Sequence, residues 1–226
     1  PVCPARDLAV ISMAQSFRSR LWLFGNQLGA RWRGPSEEIS ARETLGETFE
    51  EVDRVLATFN AILSLSRVNA GTEGKLEPLD LTEVCEEMAE LFEPACEDAG
   101  IGFKAYVQRE LEVSGDRTLL AQAISNLLDN AVKYTPSGEE IRFSAEKDET
   151  TIEIIIEDSG PGIPDEDLTR VKERFVRLDE ARTQTGSGLG LALVDAIAEF
   201  HAGKFTLTRS DGKSGLKATL SFPLTK

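Results

Sequence analysis

Asn-Leu-Leu-Asp-Asn-Ala-Val-Lys-Tyr-Thr-Pro, at residues 126–136, is the most informative segment of this 226-residue chain. Asn126 and Asn130 lie one turn apart on a predicted helix, with Lys133 and Tyr134 beyond them. Amide oxygens placed in this way can ligate a hard cation such as Mg²⁺, which binds through a few protein oxygens plus nucleotide phosphates. Taken alone, the segment also fits a helix with a polar, solvated face.

A second cluster follows an apolar run and reads Ile-Glu-Asp-Ser-Gly-Pro-Gly-Ile-Pro at residues 156–164. Asp158 leaves a predicted strand and is followed by Gly160 and Gly162. The carboxylate is an acceptor for a purine amino group, and glycine backbone lets a flat ligand approach closely. A turn that merely ends a strand explains the same residues equally well.

A third cluster is rich in glycine and reads Thr-Gly-Ser-Gly-Leu-Gly-Leu at residues 185–191. It opens a predicted helix that runs to about residue 200, and amides at a helix N-terminus bind phosphate. No Gly-Lys-Ser/Thr follows, so it is not a Walker loop. It also lacks the preceding strand of a dinucleotide-binding fingerprint.

In this order the three clusters resemble the N, G1 and G2 boxes of the histidine-kinase ATP-binding domain. Residues 173–177, Glu-Arg-Phe-Val-Arg, resemble the F box of that family. The resemblance implies a Bergerat-type α/β sandwich that binds ATP and Mg²⁺, with a mobile lid between the G1 and G2 boxes.

The resemblance also assigns roles to individual residues. Asp158 would read the adenine amino group, and Asn126 and Asn130 would hold Mg²⁺ against the phosphates. The other implied nucleotide contacts come from the N box, the glycine clusters and the lid: Lys133, Tyr134, Gly160, Gly162, Arg174, Arg182, Gly186, Gly188, Leu189 and Gly190. The two lid arginines are equally compatible with plain solvation, because exposed charges contribute little.

Alternating periodicities predict the architecture of residues 81–226. They indicate helices at about 81–99 and 116–134, strands near 101–108, 111–113, 140–146 and 151–158, and a loop over 159–186. A last helix and strands near 204–209 and 215–222 complete the pattern. The expected fold is α+β, with one mixed sheet under helices.

The first part of the chain predicts a helical hairpin over residues 1–70, followed by a linker over 71–80. Apolar residues recur at four- and three-residue steps in a helix of about 6–32 and again from Leu45 to Leu63, and Gly34-Pro35 separates the two helices. Two helices alone bury too little surface, so two copies should join as a homodimeric four-helix bundle.

The first helix resembles the family's phosphoacceptor segment, but Gln15 stands where the acceptor histidine belongs. Ser16 and Arg20 replace the usual acidic residue and proline. A glutamine amide is not a nucleophile, so phosphorylation at Gln15 is excluded. His201 is the only histidine and is predicted to be structural.

Composition narrows the classes of partner and compartment. The net charge of −14 argues against a nucleic-acid partner, and no apolar run approaches the roughly 20 residues of a membrane span. Cys3, Cys85 and Cys96 show no metal or disulfide spacing and are predicted to be small buried residues in a reducing cytoplasm. The start at Pro1 indicates a fragment, whose parent is either anchored in a membrane or free.

Three functions remain open at this point. The chain is a divergent kinase that phosphorylates an acceptor on another protein, or it is a nucleotide-binding scaffold for a response regulator or a partner kinase. The third candidate is an ATPase related to DNA gyrase or mismatch-repair proteins. The upstream hairpin and short lid disfavour this last candidate.

Overall fold

The computed structural model describes residues 76–178, 188–210 and 214–224. Its helices are α1 (Leu81–Asp98), α2 (Arg117–Tyr134) and α3 (Gly190–Phe200), and a 3₁₀ turn covers Arg170–Lys172. Its strands are β1 (Glu77–Asp80), β2 (Gly102–Val107), β3 (Glu112–Gly115), β4 (Glu140–Lys147), β5 (Thr151–Asp158), β6 (Lys204–Arg209) and β7 (Leu216–Pro223). No helix among these residues is long and apolar enough to cross a membrane.

Aspartate side chains begin the first two helices. The Asp80 carboxylate accepts a hydrogen bond from the Thr82 amide at 2.9 Å, and Asp116 accepts one from the Leu119 amide at 3.0 Å. Each bond satisfies an amide that has no partner within its own helix. Helix α1 ends before Gly100, whose φ of +68° suits glycine, and α2 ends before the Thr135-Pro136 step.

The main sheet has the strand order β2-β4-β5-β7-β6. The β2–β4 pair is parallel, and the other pairs are antiparallel, so the sheet is mixed. Strands β1 and β3 form a separate antiparallel pair. Along β5, Ile152, Ile154 and Ile156 are buried while their neighbours are partly exposed. This alternation directs one face of the sheet toward the helices, where the core lies.

The structure confirms the predicted α+β domain and the positions of its helices and strands. Two details differ: residues 77–80, placed in the predicted linker, form β1, and a 3₁₀ turn lies inside the predicted loop. Strand β1 exists because it pairs with β3, a partner distant in sequence.

Cys85 and Cys96 are buried free thiols, and burial raises the pKa of Cys85 to about 12. The predicted hairpin, dimer, Gln15 and Cys3 lie outside the described residues.

His201 links the end of α3 to the start of α2. Its Nε2 accepts a hydrogen bond from the Asp116 amide at 2.9 Å, and its Nδ1 donates to the Ile197 carbonyl at 2.7 Å. This pairing requires the neutral ring with the proton on Nδ1. Burial accordingly lowers the pKa of His201 from its ordinary 6.5. The structural role predicted for this residue is confirmed.

Replacing His201 by Phe should lower the free energy of unfolding at pH 7.5 by about 1–3 kcal/mol, because the Asp116 amide loses its acceptor. The unfolded histidine takes up a proton near pH 6.5, before the folded one does, so the unsubstituted chain loses stability as the pH falls through this value. The stability gap between the two chains should therefore narrow at pH 5.5. Urea denaturation followed by circular dichroism at both pH values measures it, and a constant gap contradicts the prediction.

Candidate nucleotide-binding site

Asn126 and Asn130 lie one turn apart on α2, and Asn126 lies close to the start of α3. The Asn126 Oδ1 atom lies 3.7 Å from the point where a Cβ on Gly190 would stand, and Gly190 is the first residue of α3. Among the described residues, the buried Nδ2 of Asn126 has no hydrogen-bond partner. The fold therefore brings the N-box amide against a helix N-terminus, the position that suits an anion.

Asp158 ends β5, and its side chain is only 7% exposed. Its Oδ1 accepts hydrogen bonds from the Gly160 amide at 2.8 Å and, more weakly, from the Leu216 amide at 3.4 Å. Desolvation by burial raises the pKa of Asp158, and the two amide hydrogen bonds oppose that rise only in part. The carboxylate is thus held by two backbone amides and is largely removed from water.

The end of α2 touches the loop that follows Asp158. A Cβ on Gly160 would stand 2.7 Å from the Tyr134 carbonyl oxygen and 2.9 Å from Asp158 Oδ1. Both distances are too short for real Cβ atoms, so this contact requires glycine. It joins the N box to the G1 box. Near this junction, the ammonium of Lys133 lies 4.9 Å from the centre of the Tyr134 ring.

The turn between β6 and β7 supports the same loop, and sequence reasoning missed it. A Cβ on Gly215 would lie 2.1 Å from the Asp158 carbonyl oxygen. Gly162, with φ of +72°, lies against the Gly215 backbone. The Ser210 hydroxyl hydrogen-bonds to Glu157, and the Ser210 amide donates to the Gly215 carbonyl at 3.1 Å. The sequence analysis placed Gly215 at the start of the last predicted strand, and that assignment does not reveal what the residue touches.

The F box and the G2 box meet at one backbone hydrogen bond. The Phe175 amide donates to the Gly188 carbonyl at 2.8 Å, and both residues have positive φ values, +64° and +68°. Leu189 is buried, whereas Arg174 is exposed. Arg182 and Gly186 lie outside the described residues, so their predicted roles remain predictions.

These residues fit the groups of a nucleotide. Asp158 supplies a fixed carboxylate acceptor, and the carbonyl oxygens of Asn126 and Asn130 are ligands that Mg²⁺ accepts. The unpartnered Asn126 amide and the N-terminus of α3 supply donors for phosphate oxygens. An acceptor for the base and donors for the phosphates are therefore present in one domain.

Comparison with known proteins shows the family of this domain. Residues 115–226 match the family model described as histidine kinase-, DNA gyrase B-, and HSP90-like ATPase. The solved mycobacterial sensor histidine kinase MprB is 34% identical, and the match covers 65% of this chain and 96% of that one, with a TM-score of 0.58. The chain belongs to the sensor histidine kinase family. The described residues contain the ATP-binding domain of that family.

Curated relatives of this histidine kinase domain are sensor kinases as well. The sensor-like histidine kinase SenX3 of Mycolicibacterium smegmatis is 34% identical over 176 residues, which are 76% of this chain and 46% of that protein. CusS of Escherichia coli is 32% identical over 184 residues, or 80% of this chain and 38% of that protein. The chain thus spans about half or less of these relatives. The gyrase-like and mismatch-repair-like alternative is not favoured.

A solved full-length kinase supports the fold. ShkA, in complex with AMPPNP, matches 100% of this chain and 47% of its own, with a TM-score of 0.67 and 24% identity.

Replacing Gly215 by Ala should destabilise the domain by about 1–3 kcal/mol, because the new methyl group overlaps the Asp158 carbonyl. Gly102→Ala is the matched control, since its Cβ would meet its nearest atom at an ordinary 3.5 Å. Thermal denaturation of both variants measures the difference. Equal midpoints for the two variants contradict the steric argument.

Proposed function

We propose that this chain binds Mg²⁺-ATP as the catalytic core of a two-component sensor kinase, and that its ancestral reaction transfers the γ-phosphoryl group to a histidine. The observation that carries the proposal is the buried carboxylate of Asp158 beside a glycine-lined loop. A hydrogen-bond donor on a bound ligand would offset part of the free-energy cost of desolvation that raises the pKa of Asp158.

The orientation of that carboxylate supports recognition of adenine. Among the described residues, both hydrogen bonds to Asp158 end on Oδ1, from the amides of Gly160 and Leu216. Oδ2 is therefore the acceptor for the exocyclic amino group of the base. Gly160 and Gly162 would form the adjacent wall of the base site. The position of Gly160 requires glycine, because a larger side chain would collide with the Tyr134 carbonyl oxygen.

The phosphate end would lie between α2 and the start of α3. Bound Mg²⁺ would neutralise charge on the β- and γ-phosphates, with Asn126 and Asn130 as its protein ligands. The backbone of Gly186, Gly188, Leu189 and Gly190 would surround the phosphates. Lys133, Tyr134, Arg174 and Arg182 would complete the pocket as cations or hydrogen-bond donors. Catalysis in this arrangement rests on positioning and electrostatics.

The segment with Gln15 determines what happens to the phosphoryl group. With no histidine at that position, the chain either phosphorylates an acceptor on another protein or acts as a nucleotide-binding scaffold for a response regulator or a partner kinase. Both forms use a homodimer built from the N-terminal hairpin, in the cytoplasm. The hairpin sequence and the nucleotide-site residues support both forms equally.

Replacing Asp158 by Asn should reduce the affinity for ATP by about 10- to 100-fold, since a charge-assisted hydrogen bond to the base is lost. The fold should persist, because an Asn carbonyl oxygen can still accept the hydrogen bond from the Gly160 amide. Isothermal titration calorimetry measures the affinity. Glu153→Gln, on the same strand, is the matched control and should bind as the unsubstituted chain does. Unchanged affinity in Asp158→Asn overturns the assignment of the base site.

Restoring the acceptor box tests the predicted role of Gln15. The triple substitution Gln15→His, Ser16→Glu and Arg20→Pro should allow labelling by radiolabelled Mg²⁺-ATP, whereas the native chain should bind ATP without becoming labelled. The histidine supplies the nucleophile and the glutamate orients it. Labelling of the native chain means that the acceptor lies elsewhere.

A further inference from the structure

Lys172 makes an unusual set of contacts just before the F box. It is the last residue of the 3₁₀ turn, and its ammonium forms an ion pair with Asp195 Oδ1 at 3.2 Å. The same ammonium donates a hydrogen bond to the Phe205 carbonyl and lies 4.5 Å from the centre of the Phe205 ring. One side chain therefore connects the 3₁₀ turn, α3 and β6.

The position of this ammonium makes its contacts stronger than those of a surface lysine. The Lys172 side chain is only 21% exposed, and the adjoining Val171 is buried. An ion pair that is partly shielded from water is screened less by salt, and the aromatic face adds a cation–π attraction. The three contacts also fix a side chain that would otherwise sample many rotamers.

A second contact lies nearer to the start of α3. The Phe175 amide donates to the Gly188 carbonyl, and Phe175 holds a left-handed backbone that costs energy for a non-glycine residue. Gly188 precedes α3 by two residues, whereas Asp195 lies about 7.5 Å along the helix from Gly190 at 1.5 Å per residue. The segment from Lys172 to Phe175 is thus attached to the helix region at two separate points.

A second attachment point restricts the rotation that a single attachment point allows. With the Phe175 contact alone, the F box could rotate about the Gly188 backbone. The Lys172 contacts remove that freedom and hold the F box against the first turns of α3. This helix begins at Gly190, beside the Asn126 amide, where the phosphates are proposed to bind.

We infer that Lys172 is a positioning residue for the phosphate end of the nucleotide site. It touches no part of the proposed ligand. Acting through Asp195 and Phe205, it holds the F box and the Gly188–Gly190 backbone in the geometry that receives the triphosphate. This inference rests on the proposed ATP site and adds a residue that none of the N, G1, F or G2 motifs assigned.

The test compares a ligand that has phosphates with one that lacks them. In the full chain, Lys172→Met should weaken Mg²⁺-ATP binding about fivefold to tenfold, within the range by which residues remote from a ligand alter its affinity. Binding of adenosine, measured by ligand-observed NMR, should change less than about twofold, because Asp158 and its glycines are untouched. Calorimetry gives the affinity for Mg²⁺-ATP.

Lys147→Met is the matched control. The Lys147 ammonium also donates to a backbone carbonyl, that of Glu110 at 2.7 Å, so the substitution removes the same charge and the same kind of bond. Lys147 is also far from Asp158. In the β4–β5 pair, Lys147 lies opposite Ile152 at one end, and Asp158 lies opposite Ile141 at the other end. Its binding of both ligands should equal that of the unsubstituted chain.

A double-mutant cycle tests whether Lys172 acts through Asp195. Asp195→Asn should weaken Mg²⁺-ATP binding in the same direction as Lys172→Met, and combining the two should add little further loss. An equal loss of both ligands in Lys172→Met, or no loss of either, overturns the inference and leaves only a role in stability. Failure of the unsubstituted chain to bind Mg²⁺-ATP overturns the proposed function itself, so the two failures are distinguishable.

Discussion

The burial of the Asp158 carboxylate is the interaction on which the nucleotide-site half of the domain depends. A carboxylate buried at the end of a core strand is costly unless backbone donors reach it, and here the amides of Gly160 and Leu216 do so. Gly160 donates from the loop after β5, and Leu216 donates from the start of β7, next to Gly215, whose missing side chain leaves room for the Asp158 backbone carbonyl. Two chain segments that are distant in sequence therefore meet at one buried carboxylate.

Other contacts between segments distant in sequence hold the rest of the domain together. The end of α2 meets the Asp158 loop at Tyr134, and His201 connects the end of α3 to the start of α2. Each contact joins a motif to an element from another part of the chain. A change at one of them should thus alter the site without touching a ligand. Lys172 extends this pattern to the F box.

Much of the domain could be predicted because its signals are local. The apolar alternation of β5 and the aspartates that begin α1 and α2 act within a few residues, so they mark the elements without tertiary information. Strand β1 could not be predicted in this way, since it forms only by pairing with β3. The support that Gly215 and Lys172 give was missed for the same reason.

Residue types at short spacing establish the order of the motifs, the identity of the proposed ligand-contacting residues and the presence of Gln15 in place of a histidine. The desolvation of Asp158, the position of Asn126 beside the start of α3 and the contact of Lys172 with the Phe205 ring follow from the packing of the folded domain. Burial and close approach depend on which distant segments pack together. No local pattern of residues contains that information.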